Sequence, residues 1–268
     1  MSLIQAIVLG AVQGVTEFIP ISSSGHLVVV PELLGWPEPG LSFDVMLHVA
    51  SLVALIVYFS GELLDLARGL RARDPEAKKL LGLLIIGTVP AALAGVLLGD
   101  YFEGTFTDAK AAALQLLITA AILVAAELAL AYHERRSAEV GGRARATTDL
   151  GPVDAGAMGI GQAIAIFPGI SRSGATIGAG LVLGIARDAA ARFGFLLAVP
   201  ALFGAALVQL PELGGTPLGL GAGTAGFISS LITSYAAIAA LIRYLRANTL
   251  YPFAIYCVVA GILFYIAL

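Results

Sequence analysis

Two interruptions in an otherwise greasy helical sequence limit what this chain can fold into. The first reads QGVTEFIPISSSGHLVV, Gln13 to Val29, and the second GQAIAIFPGISRSGATI, Gly161 to Ile177. They are versions of each other. A constant shift pairs Gly10 with Gly159, Gln13 with Gln162, Phe18 with Phe167, Ser22 with Ser171, Ser24 with Ser173, Gly25 with Gly174 and Gly35 with Gly184. A continuous helix tolerates one proline but not PISSSGH or PGISRSG. Irregular backbone at membrane depth survives only where protein or a water-filled cavity surrounds it. The stretches 3–35 and 156–185 are therefore expected to be re-entrant helix–loop–helix hairpins, each returning to the face it entered.

Hydrophobic residues make up 59% of the 268 and charged residues 12%, and several runs approach the ~20 apolar residues that span a bilayer. Six read as full spans: 43–60, 79–99, 111–132, 192–210, 221–245 and 251–268. The expected class is an all-α polytopic membrane protein of six transmembrane helices and two re-entrant hairpins. A net charge of −3 gives no reason to expect a nucleic-acid partner. Cys257 is the single cysteine, so neither an intramolecular disulfide nor a cysteine metal site is expected. The first residues lack the basic stretch of a cleavable signal peptide.

Residues 1–132 form one half, 133–155 a polar linker, and 156–268 the other half. Each half is one hairpin plus three spans. Three is odd, so the second half is inverted relative to the first, an inverted-topology internal repeat. The cations test this plan independently. Arg68, Arg71, Arg73, Lys78, Lys79, Arg135, Arg136, Arg143, Arg145, Arg187, Arg192, Arg243 and Arg246 all fall on one face of it, which the positive-inside rule makes cytoplasmic. Lys110, beside Asp100, Glu103 and Asp108, is the loop cation left outside. Both termini are then outside, in a multi-pass protein of the plasma (inner) membrane. Trp36 and tyrosines near span ends fit interfacial anchoring.

The two breaks differ in their charged groups. Glu17 faces Ile166, Ser23 faces Arg172 and His26 faces Ala175. Ionisable groups within apolar hairpins mark functional sites. Gln13 and Glu17, four apart, share a helix face, and Glu17 suits a metal ligand or a general base. Ser22, Ser23 and Ser24 with His26 supply hydroxyls and an imidazole, and either a serine activated by His26 or His26 itself is a candidate nucleophile toward phosphorus. Pro168 to Thr176 opens a new helix with Ser171, Arg172, Ser173, Gly174 and Thr176. Amides at a helix start and a guanidinium together suit an anion, phosphate above all. No GK[ST] ending is present, so no nucleotide is implied. Asp44 and His48, also four apart, are expected to form a satisfied helix-face pair, with participation in the site as the alternative. Glu127 is expected to pair with another buried polar group, and His133 to be solvated in the linker.

These motifs resemble the undecaprenyl-pyrophosphate phosphatase family (UppP, also called BacA). Its first signature is matched by Gln13, Glu17, Ser22, Ser23, Gly25 and His26, and its second by Pro168, Gly169, Ser171, Arg172, Ser173 and Thr176. FDVMLHVASLVALIVYF and RFGFLLAVPALFGA are secondary echoes, and the likeness covers nearly the whole chain. The resemblance implies an enzyme of bacitracin resistance that hydrolyses undecaprenyl diphosphate to its monophosphate plus inorganic phosphate, recycling the carrier for cell-wall polymers. It also implies a divalent cation, Mg²⁺ or Ca²⁺, and a site open to the outer face. By similarity Glu17 holds metal, with Gln13, or acts as base. Ser23 and His26 are nucleophile candidates, Arg172 grips phosphate, and Ser22, Ser171, Ser173, Gly174 and Thr176 line the phosphate cradle. Partners are the lipid substrate and membrane lipids, with a homodimer as a candidate assembly.

Two departures stand out. Gln13 occupies a position where many relatives carry Glu, and Tyr256-Cys257 stands where Tyr-Arg is frequent. A transporter or flippase of the polyprenyl phosphate is the alternative, because inverted repeats with broken helices are transporter architecture. Ser24-Gly25-His26 and Ser171-Arg172 match type-2 phosphatidic-acid phosphatase motifs only superficially, since GATIGAGLVLG lacks the His and Asp that class requires.

Overall fold

The computed structural model describes residues 1–103, 109–139, 145–167, 169–209 and 219–268. Asp108, Arg143 and Pro168 lie outside them, and at Asp100 and Glu103 only the backbone is described. The described residues form eleven α-helices. The first half holds α1 (Leu3–Phe18), α2 (Ser23–Leu33), α3 (Leu41–Tyr58), α4 (Ser60–Arg71), α5 (Pro75–Glu103) and α6 (Ala109–Glu139). The second holds α7 (Pro152–Ile164), α8 (Arg172–Val182), α9 (Arg187–Gln209), α10 (Leu220–Leu245) and α11 (Tyr251–Ala267). A single β-bridge, Arg145 to Ile185, is the strand-like pairing among them.

Five helices are long and apolar enough to cross a bilayer: Leu41–Tyr58, Pro75–Leu97, Ala109–Glu139, Arg187–Gln209 and Leu220–Leu245. The sixth expected span, α11, has 17 residues, about 25 Å at 1.5 Å per residue, which falls short of a ~30 Å hydrocarbon core when straight. Large apolar side chains stand fully open on the outer helix faces, Val96, Leu97, Leu220 and Ile266 among them. A contiguous apolar exterior of this extent requires lipid as its solvent.

Both sequence breaks interrupt helices where local chemistry dictates. Helix α1 begins in a capping box, Ser2 Oγ accepting from Gln5 N–H at 3.2 Å while Gln5 Oε1 accepts from Ser2 N–H at 2.7 Å. It stops before Pro20, whose ring forbids the next helical turn. Helix α2 restarts from Ser22, whose Oγ accepts from Gly25 N–H at 3.3 Å. Ser171, its counterpart, caps α8 by accepting from Gly174 N–H at 3.1 Å. Hydroxyl pairs repeat too, Ser22 with Ser24 at 3.4 Å and Ser171 with Ser173 at 3.2 Å.

Each half lays its broken helix on the other half. Helix α1 packs along α10, and α7 packs along α5. Paired glycines permit both approaches. A Cβ at Gly10 would overlap the Gly226 carbonyl oxygen, and a Cβ at Gly159 would overlap that of Gly87. Small residues let membrane helices touch backbone to backbone. Between α3 and α10 the joint is polar: Ser234 Oγ donates to Ser51 Oγ at 3.0 Å, and Ser51 and Ser230 each donate to Leu47 O at 3.1 Å. Phe18 meets Phe195 edge-to-face at 5.4 Å, and Phe59 stands 6.3 Å from Phe195. Phe18 and Phe195 line the cavity that Glu17 also lines.

Ion pairs fasten the cation-rich side. Arg145 forks onto Asp154 at 2.8 and 2.6 Å and also donates to Asp149 O and Leu183 O. Lys79 donates to Thr148 O, and Arg192 to Glu62. Glu127 is paired: the half-buried Arg187 donates to it from Nη2 at 2.7 Å, and the buried Leu250 N–H adds another bond at 2.7 Å. His133 differs from expectation. Helix α6 runs through it to Glu139, and its Nε2 stands 3.0 Å from Val182 O, tying α6 to the end of α8.

Candidate active site

The tips of the two breaks touch. Gly169 donates its N–H to Ser24 Oγ at 3.2 Å, and Thr119 of α6 holds the second tip by donating to Gly169 O at 3.2 Å and accepting from Ser171 N–H at 3.0 Å. Ser22 holds φ at +70°, a region that side-chain-bearing residues occupy only under local constraint. That turn brings Ser23 back toward the end of α1.

Glu17 is the centre. It is buried at the last turn of α1, and both carboxylate oxygens are engaged. Arg172, at the first residue of α8, donates to Oε1. Ser23 donates to Oε2 at 2.5 Å, and Gln13 Nε2 donates to the same oxygen at 3.0 Å. A carboxylate at this depth is stable because a guanidinium from the other half compensates its charge. Glu17 and Ser23 thus come from one break and Arg172 from the other.

His48 also reaches Glu17, the alternative to the expected pair with the Asp44 side chain. Its Nδ1 lies 2.8 Å from the Asp44 backbone oxygen, so Nδ1 is the donor and Nε2 faces Glu17 Oε2 at 3.8 Å. His26 points away from Ser23. Its Nδ1 contacts Ser22 O at 2.6 Å and its Nε2 the Tyr256 hydroxyl at 2.7 Å, with the two rings stacked at 5.7 Å. In this arrangement the base that touches Ser23 is Glu17, while His26 braces the first break against α11. Tyr256 was invisible as a partner because nothing in an apolar terminal span marks one tyrosine as inward.

Ser171 and Gly174 bond each other, so Gly174 N–H serves the cap of α8. Thr176 is buried and lines a narrow cavity with Glu17, Phe18, Arg172, Ser173 and Gln162. The oxygen donors available to a hard cation are the Glu17 carboxylate, Ser23 Oγ and Gln13 Oε1. The last is buried without a hydrogen-bond partner among the described residues. No group of three or more His, Cys, Asp and Glu side chains converges among the described residues. The donor set fits Mg²⁺ or Ca²⁺ shared with substrate phosphate oxygens, the usual arrangement for Mg²⁺ at phosphates.

The fold is that of a multi-pass helical membrane protein, with a carboxylate-bonded serine and a guanidinium where two helix breaks meet. The chain belongs to the bacitracin resistance protein BacA family, whose model matches residues 6–263. It is 40% identical to an undecaprenyl-diphosphatase of Methanosphaera stadtmanae, over 98% of this chain and 97% of the relative. Proteins of the same name from Thermomicrobium roseum and Geobacter sulfurreducens are each 41% identical. The first match covers 98% of this chain and 96% of the relative, the second 97% and 96%.

Proposed function

We propose that this chain hydrolyses undecaprenyl diphosphate to undecaprenyl phosphate and inorganic phosphate. The observation that carries the chemistry is the 2.5 Å bond from Ser23 Oγ to Glu17 Oε2, with Arg172 on the other carboxylate oxygen. A hydroxyl donating to a carboxylate is poised to lose its proton to it as it attacks. Ser23 Oγ bonds to the terminal phosphorus, its proton passes to Glu17, and the bridging P–O bond breaks to release undecaprenyl phosphate. Water then cleaves the phosphoserine to inorganic phosphate and restores the Ser23 hydroxyl. Arg172 turns from Glu17 to the phosphate, where a planar fork matches two oxygens. Glu17 and Gln13 would hold the divalent cation with diphosphate oxygens, and the cation would screen the negative charge there. The relatives are named for hydrolysis, and the transport reading gains no support from them.

The topology belongs to the same proposal. At 16 and 11 residues, α1 and α2 reach about 24 and 16 Å, and the turn at Ser22 between them brings Ser23 back to Glu17 at the end of α1, which favours a re-entrant hairpin; α7 and α8 are read the same way. The matched Gly10–Gly226 and Gly159–Gly87 contacts and the matched serine caps support an inverted repeat of six spans and two hairpins. The Arg145, Lys79 and Arg192 contacts gather cations on the side assigned to the cytoplasm, so the site opens outward at the plasma membrane. The prenyl tail stays in hydrocarbon while the diphosphate enters between the breaks.

Phosphate release from undecaprenyl diphosphate by purified protein in detergent tests this reading. The wild type should turn over, and Glu17→Ala and Arg172→Ala should lose most of that activity. Near-normal release by either folded variant would overturn the site assignment.

A further inference from the structure

The two glutamines that the repeat pairs have different fates. Gln13 spends its amide on Glu17, donating from Nε2 at 3.0 Å. In the second break Ile166 stands where Glu17 stands in the first, so Gln162 has no carboxylate to serve. It is 3% exposed, and neither Nε2 nor Oε1 has a hydrogen-bond partner among the described residues. It lines the cavity that contains Glu17, Arg172, Ser173 and Thr176. Thr176 Oγ1, 2% exposed, is likewise without a partner there. A buried amide left unbonded at both ends bears its full desolvation cost, and native proteins rarely accept that without a partner in some state.

We propose that Gln162 is a phosphate-binding residue of this site, donating from Nε2 to an oxygen of the diphosphate beside Arg172, with Thr176 Oγ1 as a second donor. The inference rests on the diphosphatase reading for its substrate, but the chemistry it names is recognition of paired phosphoryl groups. Arg172 supplies charge and a planar fork; a neutral amide supplies directed donation without a second buried charge to compensate. Loss of the carboxylate in the second copy is what frees the amide. The repeat has turned one glutamine into a brace for the base and the other into a contact for the anion.

Gln162→Leu tests this, since leucine keeps the approximate volume and removes both orphaned groups. Melting of the detergent-solubilised protein is followed with and without methylenediphosphonate, a non-hydrolysable diphosphate, and steady-state phosphate release is measured beside it. The proposal expects Gln162→Leu to melt at or above the wild-type temperature, to lose protection by methylenediphosphonate, and to raise KM roughly tenfold to a hundredfold, the loss of one hydrogen bond to a charged group. Gln162→Glu, of the same shape but with a carboxylate toward the phosphates, should lose protection as well. A Leu variant that melts well below wild type would show the amide to be paired within the fold, and so overturn the proposal. Undiminished protection in the Leu and Glu variants would also overturn it, as would wild type unprotected by methylenediphosphonate. A wild type that is protected but releases no phosphate from undecaprenyl diphosphate would support the anion contact while sinking the diphosphatase reading.

Discussion

Ser23 and Glu17, six residues apart across a helix break, are joined by a hydrogen bond of 2.5 Å. The turn at Ser22, not helical periodicity, makes that bond, so the interruption is the device that builds the site. Glu17→Gln preserves the side-chain shape but cannot accept the serine proton as a carboxylate does. We expect turnover of undecaprenyl diphosphate to fall by about 10²–10⁴ in Glu17→Gln, the range for loss of a general base. Ser23→Ala should fall at least as far, and Arg172→Lys should lose activity because an ammonium cannot replace the planar fork. Single-turnover phosphate release on each folded variant is the check, and a Ser23→Ala enzyme at wild-type rate would move the nucleophile elsewhere.

The cation-rich side carries an acid-sensitive joint. Burial pushes the Asp154 carboxyl up, but hydrogen bonds from Arg145 and from Gly151 N–H outweigh it and hold the group below the usual carboxylate range. A carboxyl depressed in the folded state stabilises the fold above its unfolded value, about 3.9, and that contribution is lost as pH falls through the folded value. Asp154→Asn should therefore lower the melting temperature at neutral pH. The gap between variant and wild type should narrow on acidification below about pH 4. Melting curves in detergent across that range decide it, and a gap that widens with acid would contradict the assignment.

The matched glycine contacts make a paired prediction. Alanine at Gly10 sets a methyl against the Gly226 carbonyl, and alanine at Gly159 sets one against Gly87. Overpacking of this kind typically costs about 1–3 kcal/mol, because one helix must move off the other. Gly10→Ala and Gly159→Ala should each lower the melting temperature, while Gly204→Ala, whose added Cβ would meet nothing within 4 Å beyond its own stretch of helix, should not. Equal melting of all three would remove the argument that these glycines set the helix approach.

The sequence carried the hydrophobic runs, the breaks and their kinship, because lipid punishes polar backbone so heavily that interruptions stand out. Glu17 and Arg172 were legible for the same reason, being charges in apolar hairpins. Partner choice was not. His48 looked like half of an i,i+4 pair with Asp44, yet an imidazole can instead bond the carbonyl one turn back and release Nε2 to a different helix. The partner of His26 comes 230 residues later in Tyr256, a distance at which spacing carries no information.

Orientation is open to a direct chemical test. Cys257 is the sole cysteine and is buried, so the parent chain should react little with an impermeant maleimide. Lys110, near the start of α6, stands 5.9 Å from the ring of Tyr265 near the end of α11. Arg71 closes α4 on the side where Lys79 and Arg192 make their contacts. With the cations facing the cytoplasm, Lys110→Cys should label in cells whose plasma membrane is exposed but intact, and Arg71→Cys only after permeabilisation. The reverse pattern would invert the protein and place the site on the cytoplasmic side, where a diphosphate released outside could not reach it without first crossing the bilayer.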